Sequence, residues 1–278
     1  SDLREILSGQ TARRVSNLSA EDLDRGAPWL RRRLQEEKAK GGYLIFDVRH
    51  QQDLALIAEV VQAERVICGA SASAEEIAKW YPSLHGGRPQ AQGIPDRQKG
   101  ILITAGSLTR QTIAQVEYLR ARGVLTLELE SARLFEEEQR RCQAQQLRER
   151  AGGGVLAGRG VVTHPPTGRE QVAATKEEAR RRGMKEAEVS RLVSGELARL
   201  AVQVLQRSGQ RRVLIAGGDT SAAFCQQAEV RAMMVYREIE SGLPSCIACG
   251  EDPLLMVLKS GSFGTPEFFE KAAAALRE

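Results

Sequence analysis

Two stretches, LIAGGDTSAAF at residues 214–224 and LMVLKSGSFGTPEFF at residues 255–269, decide the fold. In each, a short apolar run ends in glycines and hydroxyl residues and then passes into a helix-like segment. Val213, Leu214, Ile215 and Ala216 read as a buried parallel strand, because consecutive apolar residues suit a sheet covered on both faces. Gly217 and Gly218 let the backbone approach a ligand, and Asp219, Thr220 and Ser221 fall where a helix begins with its unpaired N–H groups. Leu255 to Leu258 repeat the plan, with Lys259, Ser260 and Gly261 after them and a second bend at Gly264. A single GGDTS reads first as a tight turn with an N-capping Asp or Thr. Two such loops, one carrying a lysine, move the reading toward a phosphate or nucleotide site.

A third loop lies upstream in KGILITAGSLTRQTIAQVEYLRARGVLTLELE at 99–130. Ile101 to Ala105 form an apolar strand, Gly106 and Ser107 a turn, and Thr109 an N-cap for a helix that carries Ile113, Val116 and Leu119 on one face. Val124 to Leu129 resume as a strand. This is a βαβ unit with hydroxyl residues at the carboxyl end of its first strand, the edge where open α/β sheets bind ligands. The intervening chain alternates in the same way. Residues 131–150 read as a charged helix broken by Gly152, Gly153 and Gly154, and GRGVVTH at 158–164 as a strand closed by Pro165 and Pro166. Residues 186–209 form a strongly amphipathic helix with Val189, Leu192, Val193, Leu197, Leu200, Val204 and Leu205 on its buried side. LHGGRPQAQGIPDRQKG at 84–100 has the glycine, proline and polar content of a linker.

The chain has 278 residues, 42% of them apolar, and no run near the roughly 20 apolar residues that cross a bilayer, so two soluble domains are expected. Forty basic against 36 acidic residues leave a net charge of +4, and the arginine-rich stretches at 139–150 and 179–182 alternate with Glu and Gln as solvated helix faces do. Aromatic residues amount to 4%, which speaks against a nucleic-acid surface. Of five cysteines, only Cys246 and Cys249 are spaced as CxxC. No second pair follows, His50, His85 and His164 lie far upstream, and the pair falls in a polar connection before the last strand, so the thiols are read as reduced and the metal set as empty. The absence of a signal peptide points to a cytoplasmic setting.

These residues resemble the four-carbon acid sugar kinases. The nucleotide-binding part of that family opens with a GSxSxxTxxQ loop and helix, matched by Gly106, Ser107, Thr109, Thr112 and Gln115. It continues with GG(D/E)TSG, matched by Gly217 to Ser221 with Ala222 in the last place, and ends with KSGxFG and a phenylalanine pair, matched by Lys259 to Gly264, Phe268 and Phe269. IESGLP at 239–244 fits the family's segment before the last strand. Residues 43–61 and 65–82 resemble, less sharply, the end of the sugar-acid-binding amino-terminal domain, as a strand ending in an acid, a helix, a further strand and a small-residue loop. The family's DDxTGA and KKxDSxxRG segments have no counterpart, so the chain reads as the latter part of a longer protein.

The resemblance implies an α/β fold of two domains with mainly parallel sheets flanked by helices. Residues 1–83 would be the remnant of the sugar-acid domain, 84–98 the linker and 99–278 the nucleotide-binding domain, its site at the carboxyl ends of the strands. The implied chemistry is transfer of a phosphoryl group from ATP, with Mg²⁺, to a terminal hydroxyl of a threonate, erythronate or oxo-tetronate type acid. Ser107, Thr109, Gly217, Gly218, Asp219, Thr220, Ser221, Ser260, Gly261 and Gly264 would hold the nucleotide, Gly261 by admitting it against the backbone. Asp219 and Lys259 would be catalytic, Asp219 through magnesium-bound water or as a helix cap only, Lys259 as a phosphate partner. Asp47, ending the strand at 43–47, is a weaker candidate or a turn residue. The acceptor base and any oligomer stay open. Two other readings remain, a non-catalytic nucleotide-binding subunit that works with a separate amino-terminal chain, and a phosphosugar-binding or isomerase-type domain.

Overall fold

The computed structural model describes residues 2–80, 99–250 and 252–278, which divide into two units on either side of residues 89–90. The expected linker at 84–98 lies outside the described residues.

The first unit holds α1 (Leu3–Ser8), β1 (Val15–Leu18), α2 (Ala20–Leu23), α3 (Gly26–Lys40), β2 (Tyr43–Phe46), α4 (Gln51–Val61) and α5 (Ser71–Ala78). β1 and β2 pair in parallel, Leu18 opposite Phe46, and Leu18, Leu23, Leu30, Leu34, Val60 and Val61 form the core under them. Arg49 makes a fork between two carboxylates, Nη2 donating to Asp24 Oδ1 at 2.6 Å and Nε to Asp53 Oδ2 at 3.1 Å. The Arg49 guanidinium holds the Asp53 carboxyl down to about 2. Asp47 directly follows β2 and accepts from Asn17 Nδ2 at 3.1 Å. The strand expected within 65–82 does not form among its described residues: residues 65–70 take no regular structure, with Val66 89% exposed, and α5 follows directly.

The second unit contains β3 (Leu102–Ala105), α6 (Arg110–Ala121), β4 (Leu125–Glu128), a 3₁₀ turn (Ser131–Phe135), α7 (Glu137–Leu156), β5 (Val161–His164), α8 (Arg169–Arg181), α9 (Glu186–Ser208), β6 (Arg212–Ala216), α10 (Gly218–Gln227), β7 (Met233–Glu240), β8 (Leu243–Ala248), β9 (Leu255–Lys259) and α11 (Phe268–Arg277). One seven-stranded sheet runs β4-β5-β3-β6-β9-β8-β7, parallel from β4 to β9 and antiparallel at β8 and β7. Alternation along the strands divides the core. Leu102, Val213, Ile215 and Met256 pack under α7, α9 and α10, whereas Ile103, Ala105, Leu214, Ala216 and Val257 pack under α6 and α11. The neighbouring strands β3 and β6 therefore send their following helices, α6 and α10, to opposite faces. A crevice opens at the carboxyl ends of two strands where the chain parts in this way, which is the ligand position of open α/β sheets.

Two expectations change. Gly152, Gly153 and Gly154 do not break α7 but lie inside its last turns, because the helix rests closely on the sheet. A methyl at Gly154 would stand 2.6 Å from Val161 Cγ2, and close packing outweighs the roughly 1 kcal/mol per glycine of lost helix propensity. Cys246 is a buried residue of β8 rather than part of a polar connection, and Ser241 and Gly242 are the two-residue turn between the antiparallel strands β7 and β8. Among the described residues no helix is long and apolar enough to cross a membrane. Leu214, 0% exposed at the centre of the sheet, sets a test of this core: Leu214→Ala should lower the unfolding free energy by about 2–5 kcal/mol in urea titrations, whereas Val235→Ala on the exposed edge strand should change it by less than about 0.5 kcal/mol.

Candidate functional site

The three glycine-hydroxyl loops meet at the crevice. Gly106 N–H donates to Ala216 O at 2.8 Å and Gly217 N–H to Lys259 O at 2.7 Å, which carries the ladder one residue past each strand end. Gly217 adopts φ +119°, a conformation that residues with a Cβ rarely take, and a side chain there would also press on Ser107 N at 3.1 Å. A methyl at Gly106 would overlap the Thr220 hydroxyl. The loops thus pack backbone against backbone.

The KSGSFG loop is held from α6. Gly261 O accepts three donors: Thr109 Oγ1 at 2.6 Å, Thr112 Oγ1 at 2.8 Å and Lys259 Nζ at 3.0 Å. Gln115 Nε2 donates to Phe263 O at 3.1 Å and Thr265 O at 2.9 Å. Residues 109, 112 and 115 recur every third position and so share one face at the helix start. Thr109 is the N-cap of α6, as its sequence position predicts.

A side chain at Gly261 would meet its neighbours: a Cβ there would overlap Ser107 Oγ and stand 3.0 Å from Thr109 Cγ2. Ser107 Oγ donates to Thr109 Oγ1 at 3.2 Å and accepts from Thr109 N–H at the same distance, so both hydroxyls brace the loop. Gly264, at φ +84°, fits its turn and the Phe268 ring. Lys259 is 1% exposed, and its Nζ faces Thr112 Oγ1 at 3.2 Å and Ser260 O at 2.8 Å beneath the loop instead of the open crevice. Burial pulls its pKa down to about 8.

What faces outward is the start of α10. Gly218 and Asp219 are exposed, and a side chain built at Gly218 would meet nothing within 4 Å. Asp219 Oδ2 accepts from Ser190 Oγ at 3.0 Å, Thr220 Oγ1 donates to Ser194 Oγ at 3.3 Å, and the buried Ser221 Oγ has no partner among the described residues. Ser190 and Ser194 belong to α9 and line a cleft of about 700 Å³ that runs from Gly106 and Leu108 past Pro165 and Pro166 to α8. Val172, Ala179, Met184, Val189 and Val193 give it apolar walls, and Lys176, Arg180 and Lys185 stand exposed at its edge. The sequence reading missed this cleft. Its only signals were the proline pair and the break between two amphipathic helices, neither of which names a ligand.

The profile of a nucleotide-binding C-terminal domain matches residues 102–269, and that of a sugar-binding N-terminal domain matches residues 1–77. The chain belongs to the four-carbon acid sugar kinase family. It is 29% identical to a 3-oxo-tetronate kinase of Cupriavidus necator, over 99% of this chain and 61% of that protein. It is 26% identical to a 3-oxo-tetronate kinase of Brucella melitensis, over 98% of this chain and 61% of that protein. A 3-oxo-isoapionate kinase of Paraburkholderia graminis is 26% identical, over 96% and 59%. The chain thus spans about three fifths of the length of the curated relatives it matches. A crystal structure of a Salmonella typhimurium protein superposes with TM-score 0.77 at 24% identity, covering 98% of this chain and 62% of that one, and one of a Haemophilus influenzae protein with TM-score 0.68 at 23% identity, covering 99% and 63%. These two show the same fold.

Two outcomes follow from the geometry of this sugar kinase family site. Gly261→Val should destabilise the ligand-free protein by about 1–3 kcal/mol through overpacking against Ser107, whereas Gly218→Ala should leave its melting temperature within a degree or two. Lys259 gives a pH dependence. Unfolded, it holds its proton to about 10.5, and folded, it releases it near 8; between those values the unfolded state binds more protons, so stability rises with pH. Thermal unfolding from pH 7.5 to 10.5 should show that rise in the parent and lose it in Lys259→Met.

Proposed function

We propose that this chain supplies the ATP-binding portion of an ATP-dependent kinase acting on a four-carbon sugar acid of the 3-oxo-tetronate type. The observation that carries the reading is the amino terminus of α10 at the sheet's switch point, with open space over Gly218. Unpaired N–H groups and the helix dipole favour phosphate there. Ser190 and Ser194 connect this terminus to the apolar cleft, which takes the nucleoside end. The kinase names of the relatives supply the acceptor class.

Each residue then has a stated part. The N–H groups of Gly218, Asp219 and Thr220 bind and orient phosphate oxygens, while Ser221 N–H donates to Gly217 O at 2.8 Å, and the Ser221 hydroxyl, without a partner among the described residues, stands at the same helix start. Ser107, Thr109, Ser260, Gly261 and Lys259 act indirectly, by fixing the loop that borders Gly217. Asp219 is the exposed carboxylate at that end, and its chemistry fits a Mg²⁺ held through water, since magnesium takes one or two carboxylates with phosphates and water. When bound, the ion neutralises charge on the transferring phosphoryl group. Asp219 is held toward this role by the Ser190 hydroxyl.

Calorimetry with MgADP and MgATP tests the site, and a coupled assay with threonate, erythronate and 3-oxo-tetronate tests transfer. Nucleotide binding should be measurable, and Gly218→Val should weaken it at least about tenfold, or roughly 1.4 kcal/mol, with an unchanged melting temperature. Transfer to one of these acids would mark the acceptor class. Tight binding of sugar phosphates with none of adenine nucleotides would overturn the reading.

A further inference from the structure

His164 ends β5 and is 1% exposed, although nothing assigned to the site uses it. The next two residues, Pro165 and Pro166, are buried and form one wall of the cleft. A proline pair brings no N–H to this corner, so a neighbouring side chain has to satisfy its carbonyls. His164 Nδ1 lies 2.6 Å from Pro165 O, and Nε2 lies 2.9 Å from Arg120 Nη2. A guanidinium only donates and a carbonyl only accepts, so the ring must carry its proton on Nδ1 and accept on Nε2. The imidazole is therefore neutral, with one tautomer fixed by its two partners.

Arg120 belongs to α6, whose other end begins at Thr109 beside the Gly261 loop. The hydrogen-bonded chain from Arg120 through His164 to Pro165 O ties the cleft wall to the helix that braces the phosphate side. We propose that His164 is a positioning residue for the nucleotide site: through its neutral Nδ1–H tautomer, imposed by Arg120, it holds the Pro165–Pro166 wall in place for the nucleoside. The inference rests on the nucleotide reading of the cleft.

The fixed tautomer makes the wall sensitive to acid. Proton uptake on Nε2 replaces the acceptor facing Arg120 with a second donor and sets two cations against each other. Burial, with Arg120 adding to it, lowers the His164 pKa, while the Pro165 carbonyl, Glu128 on β4 and Glu117 on α6 act in the opposite sense. Glu117 is engaged by Arg120 Nη1, and Glu128 accepts from Gln171 Nε2 at 2.9 Å on the first turn of α8, so neither is a free counter-charge for the ring. Neutral pH leaves the device intact, and acid breaks it at a lower pH than that at which an ordinary histidine takes up its proton.

The test uses the whole chain with Arg120→Met, which alters a half-exposed side chain, and His164→Asn, whose amide can still reach Pro165 O. MgADP affinity at pH 7.5 should fall about five- to tenfold in Arg120→Met with little change in ligand-free melting temperature. Between pH 7.5 and 5.5 the parent should lose more affinity than His164→Asn, and because ADP itself titrates there, the difference between the two profiles is the readout. Hydrogen exchange read over residues 167–172 without nucleotide should speed up in Arg120→Met at pH 7.5, and in the parent should exceed the intrinsic pH trend at pH 5.5. Unchanged exchange together with superimposable affinity profiles would overturn the proposal. If no adenine nucleotide binds the parent at any pH, the reading of the cleft fails, and the exchange arm still decides whether Arg120 and His164 hold the wall.

Discussion

The carbonyl of Gly261, with Thr109, Thr112 and Lys259 all donating to it, is the contact on which the shape of the crevice depends. It joins the loop after β9 to the first turns of α6, and the bare backbones of Gly106 and Gly217 close the space between that loop and the start of α10. Neutral hydrogen bonds of this kind contribute about 0.5–1.5 kcal/mol each, and a bond from a charged donor more, which is enough to fix a loop but not to hold a fold. The fold comes from the two apolar faces of the seven-stranded sheet. The two layers of interaction thus have separate tasks, burial setting the strands and hydroxyl-to-carbonyl bonds setting the loop that frames the ligand edge.

Lysine 259 shows how that separation alters a familiar assignment. A lysine after a glycine-flanked strand invites the reading of a phosphate partner, since a flexible ammonium can reach a ligand. Here the ammonium is buried and turned to carbonyls of its own loop, and its lowered pKa reflects desolvation. An anion bound over the crevice would act on that charge through the loop and favour its protonated form.

Much of the fold was legible in the sequence because local and global signals agreed. Unbroken apolar runs at 101–105, 213–216 and 255–258 marked the central parallel strands, and Thr109 marked the start of α6. The errors lie where tertiary contact overrode a local rule. Gly152 to Gly154 stay helical because α7 presses on Val161, Cys246 lies in a strand because β8 pairs with β9, and residues 65–70 gain no strand because no neighbour pairs with them among the described residues. At the site, the pattern located all three loops but not the direction of their side chains. Spacing of three along α6 was visible, yet only coordinates reveal that Thr109, Thr112 and Gln115 turn inward to a backbone. The cleft between α8 and α9 left almost no trace in sequence, because its walls are ordinary apolar residues that would read the same in a closed core.

The central claim is that phosphate binds at the start of α10 and the nucleoside in the adjoining cleft. The most direct measurement is an amide chemical-shift titration of the labelled chain with MgADP. The account predicts the largest shifts at Gly218, Asp219, Thr220 and Ser221, with smaller ones at Gly106, Leu108 and Val189. Shifts confined to other surfaces, with the amides of residues 218–221 unmoved at saturation, would contradict it.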